Sequence, residues 1–285
     1  MGAPARSVSG MPRALTIAGS DSGGGAGIQA DLKVFFALGC HGTSALTALT
    51  AQNTVGVTGI HSVPPDFVIE QIDAVASDIG VDAAKTGMLS SAAIVDAVAK
   101  AVEAAGIERL VVDPVFISKH RDELLAEDAV GALKERLFPL ATIVTPNLFE
   151  AGGLLGREVV GVEDMKRAAR DLLELGPSAV LVKGGHAETA DATDILYDGT
   201  RLEELSGPRY DTQDTHGTGC ALSAAICARL AHGDDLLDAV TRGKAFVSGA
   251  IENSLRIGEG YGPVNPGWQM DAWRSGAARK APPTH

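Results

Sequence analysis

The sequence predicts an α/β protein with a mostly parallel central sheet, helices on both faces and an antiparallel hairpin at one edge. Three observations carry that prediction: short apolar runs ending in polar or glycine residues, Ala-rich helical stretches between them, and one Asp-Gly turn joining two alternating runs. The apolar runs are "ALTIAG" (14–19), "TSALTALT" (43–50), "DAAKTG" (82–87), "RLVVDPV" (109–115), "ATIVTPN" (141–147) and "AVLVKGG" (179–185). Each has the length of a buried strand rather than of a helix. Helical patterns at 90–105, 122–137 and 162–175 supply the crossovers that parallel neighbours require. "TDILYDGTRLEELSG" turns at Asp198 and Gly199 and reads as the edge hairpin. Helices over about 219–231 and 235–254 follow. Residues 1–12 and 267–285 carry Gly, Pro, Ala and basic residues without periodicity, so they are expected to be loose tails around one domain spanning 13–266.

Composition narrows the function classes. A chain of 285 residues that is 45% hydrophobic can enclose one large core. Its formal net charge of -12 excludes a nucleic-acid surface, which needs clustered cations, and favours a small-molecule ligand. No apolar run reaches the roughly 18 residues of a membrane span. The N-terminal stretch lacks the apolar core of a signal peptide, so a cytoplasmic protein is expected. Cys40, Cys220 and Cys227 are odd in number and lack C-x-x-C spacing, which indicates neither a disulfide framework nor a zinc site.

In an open parallel sheet, ligands gather at the carboxyl ends of the strands. The segments "GSDSGGGAG", "AQN", "KTGM", "DPV", "TPN" and "KGG" all fall there, so one rim should hold the chemistry. Gly25, Gly27 and Ala30 superficially fit a dinucleotide fingerprint, but no acidic residue follows at the end of the next strand, where Ala51, Gln52 and Asn53 stand. No G-x-x-x-x-G-K-[ST] occurs, which excludes an ordinary P-loop. The glycine loop instead suits close backbone approach to a small substrate, with Asp31 one helical turn beyond Ile28 and aimed back at it. A solvated Asp31 after a tight turn is the alternative.

"DTHGTGCALSAA" places Gly217, Thr218, Gly219 and Cys220 at a helix start, where converging amides and the helix dipole make an anion site. The same position should lower the Cys220 thiol and make it an available base, whereas Cys40 and Cys227 read as small buried thiols. Asp113 ends a strand, and Asn147 and Glu150 stand three apart at a helix start, so they could hold magnesium through water. Taken alone, Asn147 and Glu150 fit helix capping equally well. Lys183 beside Gly184 and Gly185 suits phosphate contact or plain solvation. His186 and His216 receive no catalytic role.

The motifs "TIAGSDSGGGAGIQADLK", "ALTAQNT", "AKTGM", "VVDPV", "VTPN..E", "VLVKGGH" and "DTHGTGC" occur together and in order from about Leu15 to residue 265. In this the chain resembles the bacterial hydroxymethylpyrimidine/phosphomethylpyrimidine kinases of thiamine biosynthesis, in the ribokinase-like superfamily. The resemblance implies a three-layer αβα sandwich, assembly as a homodimer, and ATP with Mg2+. It places a pyrimidine substrate near Gly19, Ala26, Asp31, Gln52, Met88 and Val115. The Gln52 amide offers a donor and acceptor pair to an aminopyrimidine, Met88 and Val115 offer apolar contact, and Asp31 would hold the hydroxymethyl group. The resemblance puts Cys220 where sugar kinases of the superfamily carry an aspartate base. The amides of 217–220 would meet the transferring phosphoryl group, Lys183 the ATP phosphates, and Asp113, Asn147 and Glu150 the magnesium. Two positions depart from the family pattern: Arg121 replaces a loop glycine, and Phe149 replaces a proline beside Asn147. The alternatives are a pyridoxal or pyridoxine kinase and a non-catalytic pyrimidine-binding regulator.

Overall fold

The computed structural model describes residues 10–115, 127–185 and 191–270. Among these, nine strands form a single sheet: β1 (Arg13–Asp21), β2 (His41–Gln52), β3 (Val57–Ser62), β4 (Ala83–Thr86), β5 (Leu110–Val112), β6 (Ile143–Val144), β7 (Val180–Val182), β8 (Asp194–Tyr197) and β9 (Leu202–Leu205). Their order is β3-β2-β1-β4-β5-β6-β7-β8-β9. The run from β2 to β7 is parallel throughout, and β8 and β9 close one edge as the hairpin anticipated from Asp198 and Gly199. The opposite edge carries β3, antiparallel to β2, which the sequence reading does not include. Five of its six residues are exposed, so it lacks the continuous apolar run that marks the buried strands.

Eight α-helices cover the sheet: α1 (Gly27–Ala37), α2 (Pro65–Asp78), α3 (Ala92–Ala104), α4 (Glu127–Ala132), α5 (Leu148–Leu155), α6 (Gly161–Leu173), α7 (Thr218–Ala231) and α8 (Leu236–Glu252), counted among the described residues. The helix expected over 122–137 is described only from Glu127, and it continues as a π-helical turn at Leu133–Leu137. Alternation along the strands sorts the side chains between two cores. Leu110, Val112, Val144, Val180 and Val182 pack with α2, α3, α5 and α6 on one face. Val111, Ile143 and Leu181 pack with α1, α7 and α8 on the other. The result is three layers, helix, sheet and helix, around one sheet.

α7 is the most deeply enclosed helix bordering the site. Residues Ala221 to Ala228 are all buried, and small side chains let the helix lie close against α1 and the sheet. Its first turn is thereby fixed directly above the ends of β1, β4 and β5. The packed chain runs on to Trp268, whose ring lies against Phe246 and over Gly249.

Candidate active site

A cavity of about 1540 Å3 runs along the carboxyl ends of the central strands, as the rim of polar strand ends requires. It exceeds the ~300–1,000 Å3 typical of a site for one small ligand, leaving room for two substrates side by side. At one end it is lined by Gly19, Ala26, Gln52, Met88 and Val115, and at the other by Asn147, Glu150, Lys183, Gly219 and Cys220.

The two ends meet where the loop after β1 touches the turn before α7. Asp21 organises that loop: its Oδ1 accepts the Gly23 amide at 2.8 Å, and its Oδ2 accepts the amides of Gly25 at 3.0 Å and Ala26 at 2.8 Å. His216 Nε2 lies 3.0 Å from the same Oδ2. Burial works to raise the Asp21 carboxyl, but His216 and the loop amides outweigh it and hold the group below its usual range. Gly217 has φ +78°, and a Cβ there would collide with the Gly25 carbonyl, so only glycine lets the two segments close.

Within the α7 turn, the amide and hydroxyl of Thr218 both bond the Thr215 carbonyl, at 3.3 and 2.8 Å. The amides of Gly219 and Cys220 make no such bond, so these two are the donors left for an anion. Lys183 stands beside them: a Cβ on Gly219 would lie 3.3 Å from Lys183 Nζ and 3.8 Å from Asp113 Oδ2.

The acidic end is tightly bonded. Asp113 Oδ1 accepts from Lys183 Nζ at 2.9 Å and Thr145 Oγ1 at 3.1 Å, and its Oδ2 accepts from Ser223 Oγ at 3.2 Å. Burial would raise this carboxyl, yet Lys183 and Lys85 keep it below its ordinary range. Asn147 and Glu150 form a reciprocal capping box, with Glu150 Oε2 accepting the Asn147 amide at 2.7 Å and Asn147 Oδ1 accepting the Glu150 amide at 2.9 Å. Burial pushes the Glu150 carboxyl up to about 7, Lys183 3.9 Å away opposes that, and Asp113 adds to it.

No cluster of three or more His, Cys, Asp or Glu side chains suited to direct metal binding occurs among the described residues. With both Asp113 oxygens already bonded, the acidic pair fits an ion that keeps its water shell, not one caged by protein oxygens.

Two expectations are corrected by the geometry. Asp31 does not border the cavity: it is fully buried beneath it, its Oδ2 taken by Lys85 Nζ at 2.8 Å and Thr16 Oγ1 at 2.6 Å. Lys85, given no role in the sequence reading, borders the cavity in its place. The thiol of Cys220 is not lowered but pushed up to about 11. Burial is the main cause; Lys85 and the Gly27 amide favour the thiolate, while Asp31 and Asp113 oppose it. His216 makes a hydrogen bond with Asp21 through Nε2. His186 and Arg121 lie outside the described residues, and Phe149 is exposed on α5. Lys85 was legible as the polar residue of "AKTGM", but only the pairing of β4 with β1 brings it beside Thr16 and onto Asp31.

A mostly parallel nine-stranded sheet with a hairpin edge, and a glycine turn opening a helix over a two-ligand cavity, define a ribokinase-like small-molecule kinase. Residues 21–265 match the phosphomethylpyrimidine kinase family, and the chain belongs to it. It is 50% identical over 260 residues to the hydroxymethylpyrimidine/phosphomethylpyrimidine kinase of Streptomyces coelicolor, covering 91% of this chain and 96% of that one. It is 52% identical over 251 residues to the thiamine biosynthesis bifunctional protein ThiED of Geobacter sulfurreducens, covering 88% of this chain and 51% of that protein, so the chain spans about half of that longer relative. Among solved structures, the ADP complex of Bacillus subtilis pyridoxal kinase superposes with a TM-score of 0.85 at 40% identity, over 90% of this chain and 98% of that one.

Proposed function

We propose that this kinase transfers the terminal phosphoryl group of ATP to 4-amino-5-hydroxymethyl-2-methylpyrimidine. It then phosphorylates the resulting monophosphate to the diphosphate used in thiamine biosynthesis. The observation that carries the reading is a single cavity with Gln52 and Met88 at one end and the free amides of Gly219 and Cys220, with Lys183, at the other. Gln52 meets the aminopyrimidine edge, Met88 and Val115 contact the ring, and Gly19 and Ala26 let backbone approach it. Thr218 shapes the phosphoryl turn through Thr215, while Gly217 permits its closure on the glycine loop.

Phosphoryl transfer asks mainly for positioning and charge neutralisation. Lys183 and the two amides supply positive charge to the phosphates. Asp113 and Glu150, steadied by Asn147, would hold a hydrated Mg2+ that neutralises phosphate charge when bound. Cys220 accepts the hydroxyl proton in the first transfer, in its thiolate form. The assembly is a cytoplasmic homodimer of one kinase domain that runs from residue 13 to at least Trp268. Exposed apolar residues at this edge of the sheet, among them Leu49 and Ile60 on β2 and β3, support the dimer, and the three unpaired thiols suit a reducing compartment.

Incubation of the hydroxymethylpyrimidine with Mg-ATP, followed by mass analysis, is expected to give the monophosphate and then the diphosphate. Absence of both would overturn the reading. The second reading, a pyridoxal kinase, rests on the likeness to the Bacillus subtilis enzyme. Faster ADP release with pyridoxal than with the pyrimidine would favour it.

A further inference from the structure

Lys85 is an unusual ammonium. It sits on β4, its side chain is 0% exposed, and its single hydrogen bond is to Asp31 Oδ2 at 2.8 Å. An ammonium carries three donors, so two N–H groups remain without a protein acceptor. Burying a charge so sparsely bonded is costly unless something else occupies those donors. Lys85 borders the cavity although water does not reach it, and its charge acts strongly on Cys220. A Cβ on Gly87 would lie 3.1 Å from Nζ, so the absent side chain at Gly87 is what keeps space open around the ammonium. Beneath it, Asp31 is fully buried, with Oδ2 shared by Thr16 and Lys85 and Oδ1 without a hydrogen-bond partner.

We propose that Lys85 is a catalytic residue whose ammonium, braced from below by Asp31, donates a hydrogen bond to the attacking oxygen of the acceptor. This rests on the kinase reading above and deepens it. In the first transfer the hydroxyl oxygen forms its bond to the γ-phosphorus as the bond to the β-bridging oxygen breaks. ADP leaves with that electron pair, and the hydroxyl proton passes to the Cys220 thiolate. The charge growing on the oxygen then lies against Lys85. In the second transfer the nucleophile is already a phosphate oxygen, and Lys85 meets a full negative charge in the ground state. Asp31 is a positioning residue here, since it fixes Nζ and leaves the local charge near zero before substrate enters.

The test compares D31N with the double variant D31N/K85M, in which no buried charge is left unpaired. Both are first shown to melt cooperatively and to bind ADP. The expected result is that kcat for the first transfer falls about 100- to 1,000-fold from D31N to D31N/K85M, as on loss of an oxyanion donor. The KM for ATP should stay within about threefold, which a general structural defect would not spare. A drop of less than about threefold in kcat overturns the proposal. Should the double variant fail to fold, the wild-type structure with acceptor and a non-hydrolysable ATP analogue decides. Nζ within about 3.2 Å of the hydroxymethyl oxygen supports the role, and Nζ beyond hydrogen-bond reach overturns it. Pyridoxal also carries a hydroxymethyl arm, so a chain preferring pyridoxal would sink the pyrimidine assignment while leaving Lys85 testable on that substrate.

Discussion

His216 Nε2 lies 3.0 Å from Asp21 Oδ2, and through this contact the loop after β1 is fastened to the turn that opens α7. Asp21 gathers three loop amides as well, so one carboxylate fixes both the acceptor end of the cavity and the position of the phosphoryl turn. Gly27, at φ +56°, ends the loop with its amide on the Cys220 sulfur. The relative placement of acceptor, thiol and phosphate thus depends on this pair at the cavity wall.

Asp21→Ala should therefore lower stability and raise the KM of the acceptor together. Losing a buried carboxylate that holds several donors costs about 3 kcal/mol. The carboxyl is held below its usual range in the folded protein. Its contribution is accordingly present above the ordinary carboxylate range and lost as pH falls through the lowered folded value. Thermal melts should show the full deficit at pH 7 and a shrinking one in strong acid. Equal melting temperatures for variant and wild type at pH 7 would sink this account of the loop.

Glu150 has the opposite sign. Its carboxyl is raised to about 7 from an ordinary 4.5, mainly by burial, so the folded state binds a proton that the unfolded state releases. Stability of the ligand-free protein should fall as pH rises from about 4.5 to about 7 and then level off. Glu150→Gln keeps the acceptor for the Asn147 amide and removes that penalty. The variant should melt higher than wild type at pH 8 and no higher at pH 4. A wild type that outlasts the variant at pH 8 would mean that Lys183 more than compensates the buried charge.

Most of the layer architecture was legible because buried parallel strands leave continuous apolar runs, as "RLVVDPV" and "AVLVKGG" do. β3 escaped because an exposed edge strand needs no such run. The site was legible as a set of residues at one rim, since Gly19, Gln52, Met88, Lys183 and Cys220 do line one cavity. Their electrostatics were not. Whether Asp31 faces a ligand or an ammonium depends on the pairing of Thr16 with Lys85 across β1 and β4, residues 69 apart in the chain. The Cys220 thiol was misjudged for a related reason. A helix start lowers a thiol, but burial and two nearby carboxylates come from other segments and prevail.

The two glycines of the α7 turn should fail differently on conversion to alanine. Gly217→Ala forces a side chain into positive φ and against the Gly25 carbonyl, so it should destabilise the fold and separate the two loops. Gly219→Ala meets the end of Lys183 at 3.3 Å and Asp113 Oδ2 at an ordinary 3.8 Å, so it should fold normally while filling the space beside the free amides. Calorimetry with a non-hydrolysable ATP analogue should show weakened binding in Gly219→Ala at unchanged melting temperature. Normal melting of Gly217→Ala would show that the close approach of Gly25 is dispensable.

The raised Cys220 thiol makes a prediction that the two transfers separate. With a thiol near 11, the thiolate is a minor species at pH 7 and grows about tenfold per pH unit up to that value. The first transfer must remove a hydroxyl proton, so kcat for the alcohol should climb with pH across the range in which the protein is stable. The second begins from an anionic phosphate oxygen and needs no base, so its rate should stay nearly flat over the same interval. Cys220→Ala should abolish the climb for the alcohol, with a deficit that widens from neutral to alkaline pH, and leave the second transfer close to wild type. Stopped assays with each purified acceptor at several pH values measure both slopes. An alcohol rate that ignores pH in the wild type, or that still climbs in Cys220→Ala, would remove the sulfur from the proton's path and leave charge neutralisation by Lys183 and the two amides as the site's main contribution.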